Sequence, residues 1–276
     1  MAAETHIWNG SDGDNAHSTA ANWHDTDAPA STDTCVYPAL AADATKDIDG
    51  SDESAILLAE ATIEAGCYLN FGSRETPLTL DTDYLNYAGQ GNAAFEIVNS
   101  TEIRVTNGAS GSTEWTYGMT LEGTGNTLLI LDPGSSNSVG VAALGDQSGE
   151  FTTIIIASGN ITLGESVTTT TLYMTDGEVE SYCDATTVNV GGGTFRQHKN
   201  KPTTLNASSG TIYFNSTDTM TTVNLRGDAV LDMSEDNRAK TITTVNLYDD
   251  AEIYDPDNIL TITNFNREGG RLSVSS

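Results

Sequence analysis

The sequence predicts an all-β chain: a single-stranded, right-handed parallel β-helix preceded by an irregular N-terminal segment. Three observations predict it. A Thr-Thr pair followed by an apolar residue returns at Thr152, Thr170, Thr186, Thr203, Thr221 and Thr243, in steps of 18, 16, 17, 18 and 22 residues. A glycine follows each of the first five pairs, at Gly159, Gly177, Gly193, Gly210 and Gly227. Within each unit the pattern has period two, as in Thr187-Val188-Asn189-Val190 and Thr222-Val223-Asn224-Leu225. A fixed period of this length marks stacked units that cannot bury their apolar faces alone.

Each element follows from side-chain chemistry. Strict alternation places one face of a strand inside and one outside. The expected inward set is Ile154, Ile156, Leu172, Met174, Val188, Val190, Leu205, Val223, Leu225, Val245 and Leu247. The glycines sit just past these strands, where a corner needs a backbone that tolerates positive φ. A second short strand follows each corner, as in Gly210-Thr211-Ile212-Tyr213-Phe214. From residue 51 to the end there is room for roughly eleven turns, stacked at about 4.8 Å. A β-sandwich or jelly roll also uses short strands with frequent turns, but gives no reason for Thr-Thr to return in phase. The domain reading is therefore a Trp-rich cap or anchor over residues 1–50 and a β-helix over 51–276.

The outward slots form a candidate ladder: Thr187 and Asn189, Thr204 and Asn206, Thr222 and Asn224, Thr244 and Asn246. Stacked Asn and Thr residues are expected to hydrogen-bond from turn to turn, at a few tenths of a kcal/mol per pair.

Composition excludes several functions. The net charge is −28, and no Lys or Arg occurs between Arg104 and Arg196. Nucleic acid and anionic membranes both require basic patches, so neither is expected as a partner. No apolar run is long enough to span a bilayer. The start, Met1-Ala2-Ala3-Glu4-Thr5-His6, lacks the basic and apolar regions of a signal peptide. Cys35, Cys67 and Cys183 cannot all pair, and no C-x-x-C occurs, so they read as small buried residues.

Residues 1–50 hold Trp8 and Trp23 with His6, His17 and His24. A solenoid end must be covered, or its strands will pair with another chain, and an aromatic flap meets that need. Aromatic residues also anchor interfaces. Trp8, His17, Trp23 and His24 are therefore the candidate partner contact.

The spacing of Trp8 and Gly10, then Ser18, Asn22 and Trp23, together with the Thr-Thr turns, resembles the β-helical structural and decoration proteins of tailed-phage virions. The resemblance lies at the level of the fold and carries no catalytic residues over. It implies a non-enzymatic structural protein of the virion, made without a secretion signal. Its partners would be other capsid or tail proteins, and a homotrimer would suit a threefold site on a particle. Large tailspikes share the fold and bind or cleave glycans, so a glycan receptor is the first alternative. A secreted adhesin is the second.

Specific chemistry is thinly represented. Glu178 and Glu180 alternate on a strand, and Asp232 and Asp236 lie near Arg238 and Lys240. Paired carboxylates of either kind are what glycan cleavage would need, but chance alone supplies such pairs among thirty-nine acids. Asn9 to Asn15 clusters oxygen ligands around glycines without the closing Glu of an EF-hand. Asp255-Pro256-Asp257-Asn258 reads as a turn. The histidines have no zinc-type spacing, and no G-x-S-x-G nucleophile motif occurs. No cofactor, metal or catalytic residue is expected.

Overall fold

A computed structural model describes residues 3–10, 16–39, 48, 56–108, 116–144 and 147–274. Its strands are parallel and stack as a β-solenoid, with about ten turns in all. Among the described residues the one helical element is a single 3-10 turn, Ala20–Asn22, and no helix is long and apolar enough to cross a membrane. The chain divides into two compact units, one up to Phe151 and one from Thr152.

In the first unit the strands are β1 (Thr5–Ile7), β2 (Thr34–Tyr37), β3 (Ile56–Ile63), β4 (Leu78–Tyr87), β5 (Ala93–Val98), β6 (Glu102–Val105), β7 (Met119–Leu131) and β8 (Ser138–Val141). Parallel pairing begins before residue 51. β1 pairs with β2 and β2 with β3, so the segment read as an irregular cap carries two strands of the stack. No Thr-Thr repeat marks them, which is why the sequence did not reveal them. One inward column runs His6, Cys35, Ala61, Leu85, Ile103, Leu129. All six are buried.

In the second unit, after β9 (Gly149–Ile156), come β10 (Asn160–Leu163), β11 (Val167–Met174), β12 (Glu178–Ser181), β13 (Asp184–Val190), β14 (Thr194–Gln197), β15 (Thr204–Ala207) and β16 (Thr211–Phe214). These are followed by β17 (Met220–Leu225), β18 (Val230–Asp232), β19 (Lys240–Leu247), β20 (Glu252–Asp255), β21 (Leu260–Arg267) and β22 (Arg271–Val274). The odd strands from β11 to β21 pair with one another, and so do the even strands from β10 to β22. Leu172, Val188, Leu205, Val223 and Val245 stack in one inward column. Met174, Val190, Ala207, Leu225 and Leu247 stack in the next. Every residue of the expected inward set is buried. In the last described turn the first column ends on Phe265 and the second on Arg267, both exposed.

The glycine corners form a column with a steric cause. The carbonyls of Gly159, Gly177 and Gly193 accept from Glu178, Thr194 and Thr211 of the following turns. A Cβ on Gly177, Gly193 or Gly210 would lie 2.4–2.6 Å from the carbonyl oxygen of the preceding glycine. Gly227 departs from the expected column. The slot above Gly210 is taken by the Ala229 corner, reached by Val230 N–H donating to the Gly210 carbonyl. Gly227 instead turns the chain two residues earlier, at φ +58°. We expect Gly193→Ala to cost roughly 1–3 kcal/mol or more, because φ there is +75° and the carbonyl of Gly177 cannot retreat without breaking its bond to Thr194. Equilibrium urea unfolding measures the loss, and a stability equal to wild type would refute the stacked-corner account.

Candidate functional site

The N-terminal cluster is built by one short antiparallel contact. Trp8 bridges Trp23, with the His24 N–H donating to the Ile7 carbonyl at 2.9 Å and the Asn9 N–H to the Asn22 carbonyl at 2.8 Å. This folds the 17–25 segment back over β1. Trp23 meets Trp8 edge-on at 5.2 Å between ring centroids and His17 at 4.8 Å. The Trp23 indole N–H donates to the His17 carbonyl.

Trp8, His17 and Trp23 are buried, and His24 is exposed. Three of the four candidate contact residues therefore pack inside this fold, as a cap would place them. The reason is area. Two indoles and an imidazole cover the first turn more favourably by packing on each other and on Tyr37 than by facing water. Burial pushes the His17 imidazole down to about 3, with the neighbouring His6 adding to the shift. Cys35 lies 3.6 Å from His17 Nε2. All three cysteines are free and buried, and burial pushes their thiols upward. They behave as the small core residues the sequence suggests.

His6 lies at the edge of this cluster. Asp33 accepts a bond from His6 Nε2 at 3.1 Å, from the backbone N–H of Glu4 at 3.0 Å and from that of Ala30 at 2.8 Å. The two backbone donors, Glu4 and then Ala30, hold the Asp33 carboxyl below its ordinary range. Burial alone would lower His6, but the Asp25 and Asp33 carboxylates outweigh it and raise the imidazole. The Asn9–Asn15 loop, named from sequence as a possible cation loop, falls largely outside the described residues.

The ladder face is in the second unit. Thr187, Thr204, Thr222 and Thr244 are in register, as are Asn189, Asn206, Asn224 and Asn246. The carboxamides form a chain: Asn206 donates to Asn189 at 2.9 Å, Asn224 to Asn206 at 2.7 Å and Asn246 to Asn224 at 2.6 Å. Asn266 extends it, donating to Asn246 at 2.8 Å. The sequence reading stopped one turn early because β21 carries Asn264, not Thr, in the slot of Thr244. Beside this ladder lies a groove of about 470 Å³, lined by Tyr173, Asn189, Asn206, Asn224 and Arg226. Arg226 stacks on Tyr248 at 4.9 Å.

The paired carboxylates are committed elsewhere. Glu178 and Glu180 share an outer face as expected, but Arg196 from the next turn reaches both, at 2.5 and 3.4 Å, and also pairs with Glu235 at 2.9 Å. His198 closes on Glu180, and Arg196 stacks on Tyr213 at 4.8 Å. Asp236 is gripped by Arg238 and by Lys240, whose Nζ lies 2.6 Å away. Lys240 occupies an inward slot and is 1 % exposed. Sequence reasoning named it only as a neighbour of Asp232 and Asp236; the signal for its burial is its phase, two residues before inward Ile242. Asp255 makes the expected turn, accepting from the N–H groups of Ile259 and Leu260 at 3.0 Å each.

Comparisons with known protein families, with curated proteins and with solved structures return no match to this chain.

Proposed function

We propose that the chain is a non-enzymatic structural protein, an acidic β-solenoid that decorates or reinforces a phage particle by presenting a rigid, preformed surface to neighbouring virion proteins. The observation that carries the structural reading is the Asn ladder. Four successive side-chain bonds lock the outer face of the second unit from β13 to β21. A surface whose polar groups are already paired loses little entropy when a partner docks. Of the acids that hydrolysis could use, Glu178, Glu180 and Asp236 are engaged by Arg196, Arg238 and Lys240. The assignment to a virion rests on the sequence resemblance, and a homotrimer on a threefold site remains part of that proposal.

The attachment surface is assigned to the exposed side of the N-terminal segment, where Ile7 is 45 % exposed next to His24. The buried tryptophans shape this surface from beneath. Its test is association with particles purified from lysates of cells that make the chain. Bound protein should appear at a fixed stoichiometry by gold labelling. Ile7→Asp should leave the circular dichroism unchanged and weaken association at least tenfold, a loss of about 1.4 kcal/mol. Absence of the chain from purified particles would reject the virion role. Unchanged binding by Ile7→Asp would move the anchor to another face.

The groove beside the ladder favours a second reading, a glycan receptor. Tyr173 is 45 % exposed at its mouth, and amide groups with Arg226 line its wall. An aromatic face flanked by amides is suited to a sugar ring. Retention on host surface polysaccharide, lost in Tyr173→Ala, would support it.

A further inference from the structure

We propose that Glu4, His6 and Asp25 form a binding site for a divalent transition-metal ion, of the class that takes one imidazole nitrogen with carboxylate oxygens, such as zinc.

The site follows from two registers. In β1, successive side chains alternate, so Glu4 and His6 project to the same side. The Trp8–Trp23 bridge is antiparallel. Counting two residues outward from it on each strand places Asp25 opposite His6. One ligand atom from each of Glu4, His6 and Asp25 lies within 4.8 Å of the others. Glu4 and Asp25 are exposed and can adjust, whereas His6 is fixed and 2 % exposed.

The decisive group is His6 Nδ1. It is buried and has no hydrogen-bond partner, although Asp25 Oδ2 is only 2.8 Å away. The oxygen lies close but off the direction in which a ring N–H would donate. Asp33 takes the Nε2 side of the ring, so Nδ1 is the atom turned toward Asp25. An ion seated among Glu4, His6 and Asp25 would draw Nδ1 and the Asp25 oxygen toward a third point, an arrangement that a close pair without an aligned hydrogen bond suits.

The surroundings have the form of a ligand shell. A metal-bound histidine commonly donates its other ring N–H to a carboxylate, which fixes the tautomer. Asp33 occupies that position, and the same carboxylate also holds the backbone of Glu4. The mixed nitrogen and oxygen donors suit zinc, manganese or nickel better than calcium, which prefers oxygen alone. Bound there, the ion would tie the 23–25 turn to β1 and fasten the aromatic cover over the first inward column.

The test uses the full chain, stripped with EDTA and dialysed. Zinc titration by calorimetry should find a single strong equivalent. Cobalt, as a coloured substitute, should develop ligand-field bands. Glu4→Gln and Asp25→Asn alter exposed side chains, so both should fold, and each should weaken zinc at least tenfold. Asp33→Asn should weaken it about 10- to 100-fold without removing a ligand. Glu75→Gln, an exposed acid elsewhere in the same unit, should leave affinity unchanged. Zinc should raise the melting temperature of wild type and not of Asp25→Asn. The proposal is overturned by zinc binding no tighter than the diffuse background of an acidic surface. It is equally overturned by affinity that survives both Glu4→Gln and Asp25→Asn, which would place the ion elsewhere. Nitrogen NMR reporting a doubly protonated His6 at neutral pH in the presence of zinc would also overturn it.

Discussion

Asp236→Asn is expected to destabilise the second unit by about 3–5 kcal/mol, the usual cost of stripping one partner from a buried ion pair. Lys240 Nζ lies inside the solenoid, 2.6 Å from the Asp236 carboxylate. An amide cannot neutralise that ammonium, whose side chain is fully buried. Replacing both partners, as Asp236→Asn with Lys240→Met, should recover most of the loss, because an apolar chain of similar length suits an inward slot stacked on Leu260. Arg238 also grips Asp236, from a guanidinium that is largely in solvent, where ion pairs are screened. Chemical denaturation of the three variants measures the cycle. Equal stability of Asp236→Asn and wild type would show that Lys240 is solvated after all.

The same pair sets an acid limit. Hydrogen bonds from Arg238, and then from Lys240, hold the Asp236 carboxyl well below its ordinary value of 3.8. The unfolded chain therefore takes up this proton before the folded one does as pH falls. The contribution is complete above about pH 5 and is lost progressively below the unfolded pKa, as pH drops toward the folded value. The difference in stability between wild type and the double variant should narrow over that interval.

Val223→Asp is the second large effect, about 4 kcal/mol or more. Val223 is fully buried between Leu205 and Val245, with no polar group in its column to receive a carboxylate. From the outward slot alone, the neighbouring Asn224→Asp is expected to cost far less than Val223→Asp. The ladder changes that. Asn224 donates to Asn206 and accepts from Asn246, so aspartate keeps the acceptor but sets an anion against the Asn206 carbonyl oxygen. A loss of about 1–3 kcal/mol follows. Melting curves should rank the variants Val223→Asp, then Asn224→Asp, then wild type. A silent Asn224→Asp would mean the ladder is not a stabilising chain, and equal losses would mean inside and outside are not distinguished.

The sequence by itself determined the parallel stack of the second unit, its two inward columns, four of its five glycine corners up to Gly210, and the in-phase Thr and Asn rows. It could do so because a repeat of fixed length brings like residues into register, and strand alternation then decides which face each side chain takes. A run such as Thr-Val-Asn-Val has the same meaning in every turn. The tertiary structure alone decided what depends on segments without a period. The 221-to-243 step exceeds the others and moves Gly227 out of its column. The burial of Lys240 against Asp236 depends on the loop that this longer step creates. The folding of Trp23 onto Trp8 rests on a single antiparallel bridge between non-repeating segments, and it alone brings Asp25 to His6. Asp33 reaches His6 across 27 residues of chain that carry no phase. Contacts of that kind are set by the packing of particular side chains at one place, and no periodicity announces them.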